Sequence, residues 1–153
     1  MATQIQTHPK MLDELLDEIN ESTDVVSALK KAFKESYFKG YMELAVNDVF
    51  PTFDTAEVIF KQYDYHRSMA GAFLLNRQTW NIISNVIMTD NVATATKMKQ
   101  FRALSEMLYI GESAMLSAII NKNITSLYPN VTFAAICEAL NIDVPNIEVM
   151  NVG

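Results

Sequence analysis

Apolar residues in the first part of the chain recur at the spacing of an α-helix. One stripe with a period of 3.6 residues is formed by Met11, Leu12, Leu15, Leu16 and Ile19. The opposite face of the same segment is acidic and carries Asp13, Glu14, Asp17 and Glu18. Pro9 precedes the stripe, and proline is favoured in the first turn of a helix. The pattern predicts an amphipathic helix whose acidic face is either solvated or a docking face for a basic partner.

A second helix is expected to begin at a cap formed by Ser22 or Thr23. Its buried stripe is predicted to consist of Val25, Val26, Leu29, Ala32 and Phe33. Gly40 is expected to end this helix near residues 36–39, and residues 41–49 are expected to add a further helical turn or two.

Five further helical patterns follow, over residues 54–63, 76–88, 94–108, 112–121 and 133–140. The fourth is apolar nearly all round, which is typical of a helix at the centre of its domain. Gly111 is expected to separate it from the helix before it, and Thr132 is expected to cap the last helix. Residues 69–75 fit either a helix or a short buried strand, because periodicity does not distinguish the two in so short an apolar run.

These patterns predict an all-α fold, a compact single-domain bundle of about seven short helices. The length of 153 residues fits one domain, and the sequence contains no repeat or linker. A mixed α+β fold is the second choice. The domain is expected to span residues 1–141, and Pro145 helps to predict an extended C-terminal tail over residues 142–153.

Charge is unevenly distributed along the chain. The net charge is −6, and all of it belongs to residues 1–65, because residues 66–153 balance six basic against six acidic groups. Nucleic-acid binding draws its affinity mainly from neutralised phosphates, so net charge disfavours a nucleic-acid partner unless a local basic patch supplies the contacts. The net negative charge also disfavours binding to an anionic membrane surface.

No run approaches the roughly 18 apolar residues of a transmembrane helix. The first 25 residues are acidic where a secretory signal would carry an apolar core. We therefore expect no membrane partner and a cytoplasmic location.

No catalytic motif is present in the sequence. Histidine occurs twice, and the zinc-protease, phosphate-loop and serine-hydrolase signatures are absent. The single cysteine, Cys137, lies in an apolar stretch and is expected to be a buried, unreactive thiol. We expect a protein that is not an enzyme and that uses no cofactor and no metal.

Two candidate binding sites stand out. The first is the aromatic and charged run at residues 63–67, in which Tyr63, Tyr65, His66 and Arg67 are expected to contact a partner protein, since tyrosine and arginine are enriched at interface hot spots. The second is a basic grouping that would contact phosphates in a nucleic-acid site, formed by Lys97, Lys99, Arg102 and Lys122.

The second half of the chain resembles a family of small helical proteins from T-even-like tailed phages. The resemblance is carried by residues 99–108 (KQFRALSEML), 112–123 (ESAMLSAIINKN), 128–132 (YPNVT) and 135–140 (AICEAL). In that family one helix ends in a Leu-Glu pair, the next carries a Lys-Asp/Asn-Lys element, and a loop leads to a closing helix. The resemblance implies a phage-encoded accessory protein that would work in the host cytoplasm.

The same order of helices is similar to the N-terminal helical DNA-binding domain of ATP-dependent DNA ligases. This similarity implies DNA contact but not ligase activity, because the chain lacks a nucleotidyltransferase domain.

Three functions follow as expectations. The first is a non-enzymatic accessory or adaptor protein that binds a phage or host protein. The second is a DNA-binding module, and the third is an oligomeric virion component that buries methionine or aromatic surface between copies.

Overall fold

The computed structural model describes residues 10–35, 37–46, 55, 66, 69–89 and 91–142. The prediction of an all-α bundle is confirmed, with seven α-helices in the described residues. They are α1 (Leu12–Asn20), α2 (Val25–Ala32), α3 (Phe38–Val46), α4 (Arg77–Ile82), α5 (Thr94–Met107), α6 (Ile110–Ile120) and α7 (Phe133–Leu140). A π-helical turn (Ile83–Ile87) extends α4, and a 3₁₀ turn (Ile124–Ser126) follows α6.

Side-chain caps fix where several helices begin. Thr132 accepts a hydrogen bond from the backbone N–H of Ala135 at 3.0 Å, which confirms its predicted place at the start of α7. The cap of α2 is Asp24 rather than Ser22 or Thr23, because its carboxylate accepts from the backbone N–H of Ser27. A carboxylate next to the positive end of the helix dipole is favourable.

The predicted central helix is α6. It contacts α1, α3, α5 and the 3₁₀ turn. Most of its residues are buried, including Met115, Leu116, Ile119 and Ile120. Its apolar surface is therefore shared among neighbours on several sides, as its sequence predicted.

One charged side chain lies inside this apolar helix. Glu112 is fully buried, and its two carboxylate oxygens accept hydrogen bonds from the backbone N–H groups of Leu12 (2.9 Å) and Leu74 (3.0 Å). The Tyr41 hydroxyl donates to the carbonyl of Leu74. Burial raises the pKa of Tyr41, and the negative charge of Glu112 raises it further. The network joins α6 to the start of α1, to α3 and to the chain before α4.

The region between α2 and α3 differs from the prediction. The second helix ends at Ala32 rather than near residues 36–39, and Gly40 lies inside α3. A Cβ at Gly40 would lie 2.4 Å from Cη2 of Trp80, which is far closer than atoms can approach. Gly40 is thus required by the ring packed against α3, and it does not end a helix.

Gly111 was expected to separate two helices, but it lies in the first turn of α6. A Cβ there would lie 2.8 Å from Oδ2 of Asp13 and 2.9 Å from Cε2 of Tyr109. The absence of a side chain lets α1 approach α6 closely, so this glycine serves packing between helices and does not form a turn.

Residues 69–75 form neither of the two expected elements. The backbone N–H groups of Gly71 and Ala72 donate to the carbonyl of Met107, at 2.9 and 3.3 Å. The result is one isolated parallel bridge between Ala72 and Leu108, and the described residues contain no longer strand.

Two predictions fall largely outside the described residues. They are the helix over 54–63, of which Thr55 alone is described, and the tail, of which only Ile142 is described. In the part of the chain that the structure covers, every helix is too short or too polar to cross a bilayer.

Candidate protein-binding groove

An open groove of about 330 Å³ lies between α1 and α2. Its floor is apolar and consists of Leu15, Ile19, Ala28 and Ala32. Its rim is polar and carries Glu18, Ser22, Lys31 and Glu35. An apolar concavity with a few polar groups around it is the usual form of a binding site.

The sequence creates this hollow through side-chain size. Leu15 and Ile19 are four residues apart on α1 and lie on the same face, and Ala28 and Ala32 do so on α2. The two methyl side chains leave space between the helices that larger residues would fill. Leu29, on the same helix as the two alanines, is fully buried in the hydrophobic core.

Carboxylates lie on both sides of the groove. Of the four acidic residues of α1, Glu18 lines the groove, whereas Asp13 is buried against Gly111 of α6, and Glu35 lines the opposite side. The Lys10 ammonium donates a hydrogen bond to the carboxylate of Glu18, and this bond raises the pKa of Lys10. The negative charge of Glu35 also raises it, so the Lys10 ammonium lies within the field of both rim carboxylates.

A second exposed apolar feature lies at the junction of α5 and α6. Met69 is 71% exposed and Met107 is 47% exposed, and Ile110 is also exposed. Gly71, two residues after Met69, lies next to Met107, since a Cβ there would make ordinary contact with the Met107 side chain at 3.5 Å. We call these exposed residues, Met69, Met107 and Ile110, the methionine patch.

The aromatic run at residues 63–67 is described only at His66. That residue is exposed, and its carbonyl accepts from the backbone N–H of Met69 at 2.9 Å, next to the methionine patch. Tyr63, Tyr65 and Arg67 lie outside the described residues. Their role in partner contact stays a prediction.

The four basic candidates do not share one exposed surface. Lys97 is only 3% exposed, and Lys122 donates to a main-chain carbonyl in the last turn of α3. Lys99 and Arg102 are exposed on α5, and Arg102 pairs at 3.3 Å with a glutamate one turn along its own helix. Two of the four side chains are therefore directed into the protein.

The remaining candidates are the single cysteine and possible metal ligands. Cys137 is buried on α7, as predicted. The described residues contain no group of three or more histidine, cysteine or acidic side chains placed to hold a metal ion.

The α1–α2 groove was only partly anticipated by the sequence. A docking face for a basic partner was one of the two interpretations given to the acidic residues of the first helix, and one of those residues, Glu18, lines the groove. Ala28 and Ala32, spaced four residues apart opposite two large apolar side chains, were the signal for the hollow itself. Comparisons with protein-family models, with curated proteins and with solved structures found no match for this chain.

Proposed function

We propose that this chain is a non-enzymatic accessory or adaptor protein that binds another protein through the α1–α2 groove. The carrying observation is the groove itself, an apolar floor open to solvent between two helices and surrounded by charged side chains. Grooves of this kind bind peptide segments through a few apolar anchors. The fully buried carboxylate of Glu112 accepts hydrogen bonds from two backbone N–H groups, which supports a structural role for this side chain.

The resemblance of residues 99–140 to small helical proteins of tailed phages supports a phage origin. On that assignment the protein acts in the host cytoplasm on a phage or host protein. The excess of acidic groups in the first 65 residues would accelerate association with a basic partner.

Affinity capture with matched variants tests the proposal. Tagged wild type, Ala28→Gln and Ala103→Gln are used to capture partners from lysate of the producing cells after nuclease treatment. The glutamine at position 28 fills the groove without adding charge, and the same change at exposed Ala103 on α5 is the control. We expect one protein retained by wild type and by Ala103→Gln and lost with Ala28→Gln. Equal capture by all three proteins would exclude the groove as the binding surface.

The methionine patch favours a second candidate, an oligomeric virion component. Met69 and Met107 would be buried between copies of the chain, because exposed apolar patches often mark interfaces. Gel filtration with light scattering separates the two functions: a monomer at high concentration is expected for the adaptor, and a fixed oligomer is expected for the structural component.

A further inference from the structure

We infer that the α1–α2 groove binds an amphipathic basic segment, which places one or two apolar side chains on the floor and a lysine or arginine against Glu18 and Glu35. The inference rests on the proposed function and adds the chemistry of the partner.

The size of the groove sets the kind of occupant. At about 330 Å³ it lies near the lower end of the roughly 300–1,000 Å³ that is usual for ligand pockets. It therefore accepts a few side chains rather than a folded domain. The floor is formed by two pairs of residues spaced four apart, one pair on each helix, and this spacing matches apolar side chains that repeat along a partner helix.

The charge of the rim selects the sign of the partner. Glu18 and Glu35 line the groove together with one cation, Lys31. Glu14, Glu18 and Glu35 all raise the pKa of Lys10, so an acidic segment would meet three carboxylates against the two ammonium groups of Lys10 and Lys31. A basic segment would gain from this excess of negative charge, to which Glu18 and Glu35 contribute from the groove itself.

Lys10 already occupies the position that a partner cation would take. Its ammonium donates a hydrogen bond to the carboxylate of Glu18, and the negative charge of Glu35 helps to raise its pKa. The pair is accessible for exchange, since the two side chains are 43% and 64% exposed. Exposed ion pairs of this kind contribute little to folding stability, so a partner can displace Lys10 readily.

The test uses fluorescein-labelled peptides of about 14 residues, enough for nearly four helical turns. One is an amphipathic leucine–lysine peptide, the second replaces lysine by glutamate, and the third contains the same leucines and lysines in an order without a helical stripe. Binding to the full chain is measured by fluorescence anisotropy. We expect saturable binding of the first peptide alone. Binding of the glutamate peptide, or equal binding of the scrambled peptide, would overturn the inference.

Matched variants separate the groove from bulk charge. Lys10→Ala is expected to bind the leucine–lysine peptide about threefold more tightly, because Glu18 loses its internal cation. Lys34→Ala makes the same change in net charge just after α2, outside the groove, and is expected to leave affinity unchanged. Glu35→Gln is expected to weaken binding about threefold, and Glu43→Gln, exposed on α3, is its control. Equal effects within each pair would overturn the inference.

The failure of this inference is distinguishable from failure of the proposed function. If Ala28→Gln abolishes capture of the cellular partner while no basic peptide binds, the groove is the site and the partner chemistry is wrong. If Ala28→Gln affects neither capture nor peptide binding, both are wrong. Self-association of the wild type that Ala28→Gln abolishes would identify a second copy as the occupant and would also overturn the inference.

Discussion

The backbone N–H of Leu12 donates a 2.9 Å hydrogen bond to the carboxylate of Glu112, which lies one hundred residues later in the chain. The acceptor is fully buried and is the one charged side chain of α6. A carboxylate at the start of α1 satisfies a backbone donor that has no partner within the helix and interacts favourably with the helix dipole. One side chain thus joins the first helix to the central one.

Replacement of Glu112 should destabilise the fold strongly. Glu112→Ala leaves the backbone N–H groups of Leu12 and Leu74 without this acceptor, and we expect a loss of about 3 kcal/mol in the free energy of unfolding. Glu112→Gln keeps one acceptor oxygen and should lose about 2 kcal/mol. The measurement is urea unfolding followed by the fluorescence of Trp80, the single tryptophan.

Exposed Glu43→Gln is the control and should change stability by less than about 0.5 kcal/mol. If the two Glu112 variants were as stable as this control, the buried carboxylate would have no role in holding α1 against α6.

Gly40 should not tolerate even an added methyl group. Alanine favours helix over glycine by about 1 kcal/mol, yet we expect Gly40→Ala to be less stable by about 2 kcal/mol, because its Cβ would overlap the Trp80 ring. The ring also packs against Tyr37 at 6.1 Å and Tyr41 at 4.9 Å, centroid to centroid, so a shift away from Gly40 would disturb these contacts. Thermal unfolding followed by circular dichroism gives the measurement.

Trp80→Phe should relieve the clash, because its ring is smaller. Trp80→Phe alone should be destabilising, but Gly40→Ala should lower stability less in the Trp80→Phe background than in the wild type. Additive effects of the two substitutions would show that the glycine is needed for a reason other than the tryptophan ring.

Local patterns determined what the sequence could predict of the fold. The apolar surface of α6 indicated a central helix, and Thr132 indicated where α7 begins, because both signals lie within a few neighbouring residues. Gly40 and Gly111 were misinterpreted because the contacts that require them come from Trp80 and Asp13, which are distant in sequence. A glycine in a helical pattern gives no local sign of a close tertiary approach.

The site was harder to predict for the same reason. Spacing predicted an acidic face on α1, but Asp13, one of its four members, is buried against Gly111 of α6. The groove in turn depends on which helix packs beside α1. Ala28 and Ala32 create a hollow only because Leu15 and Ile19 lie opposite. The basic grouping failed to form a single surface because the Lys97 side chain is buried and Lys122 caps the end of α3, and neither outcome follows from sequence spacing.

The cap of α2 should make stability depend on pH. The hydrogen bond from the Ser27 N–H, together with that from its hydroxyl, holds the pKa of Asp24 below its ordinary value of 3.8. A lowered folded-state pKa means that the unfolded chain binds the proton more tightly. The contribution of Asp24 is therefore complete above 3.8 and disappears as pH falls through the lower folded-state value.

Unfolding free energies of wild type and Asp24→Ala, measured from neutral pH to well below 3.8, should therefore differ most at neutral pH and converge in acid. Ser22→Ala is the control, because it removes an uncharged hydroxyl that hydrogen-bonds the backbone of Asp24, and its effect should be the same at every pH. A difference that stays constant or widens as pH falls would contradict the carboxylate cap.

DNA binding provides the last prediction. Lys99 and Arg102 are the exposed members of the basic grouping, and Arg102 is paired with Glu106. Two cations on a chain of net charge −6 release few counterions from DNA. We expect no measurable affinity of the wild type for double-stranded DNA at low salt, and no change when both residues are replaced by alanine.

The contrary result is DNA binding that weakens steeply with salt. The slope of affinity against salt concentration would then be reduced by the double substitution but not by Arg77→Ala on α4. That outcome would replace the protein-binding proposal with a DNA-binding one, because a reduced slope shows that these two side chains contact phosphates.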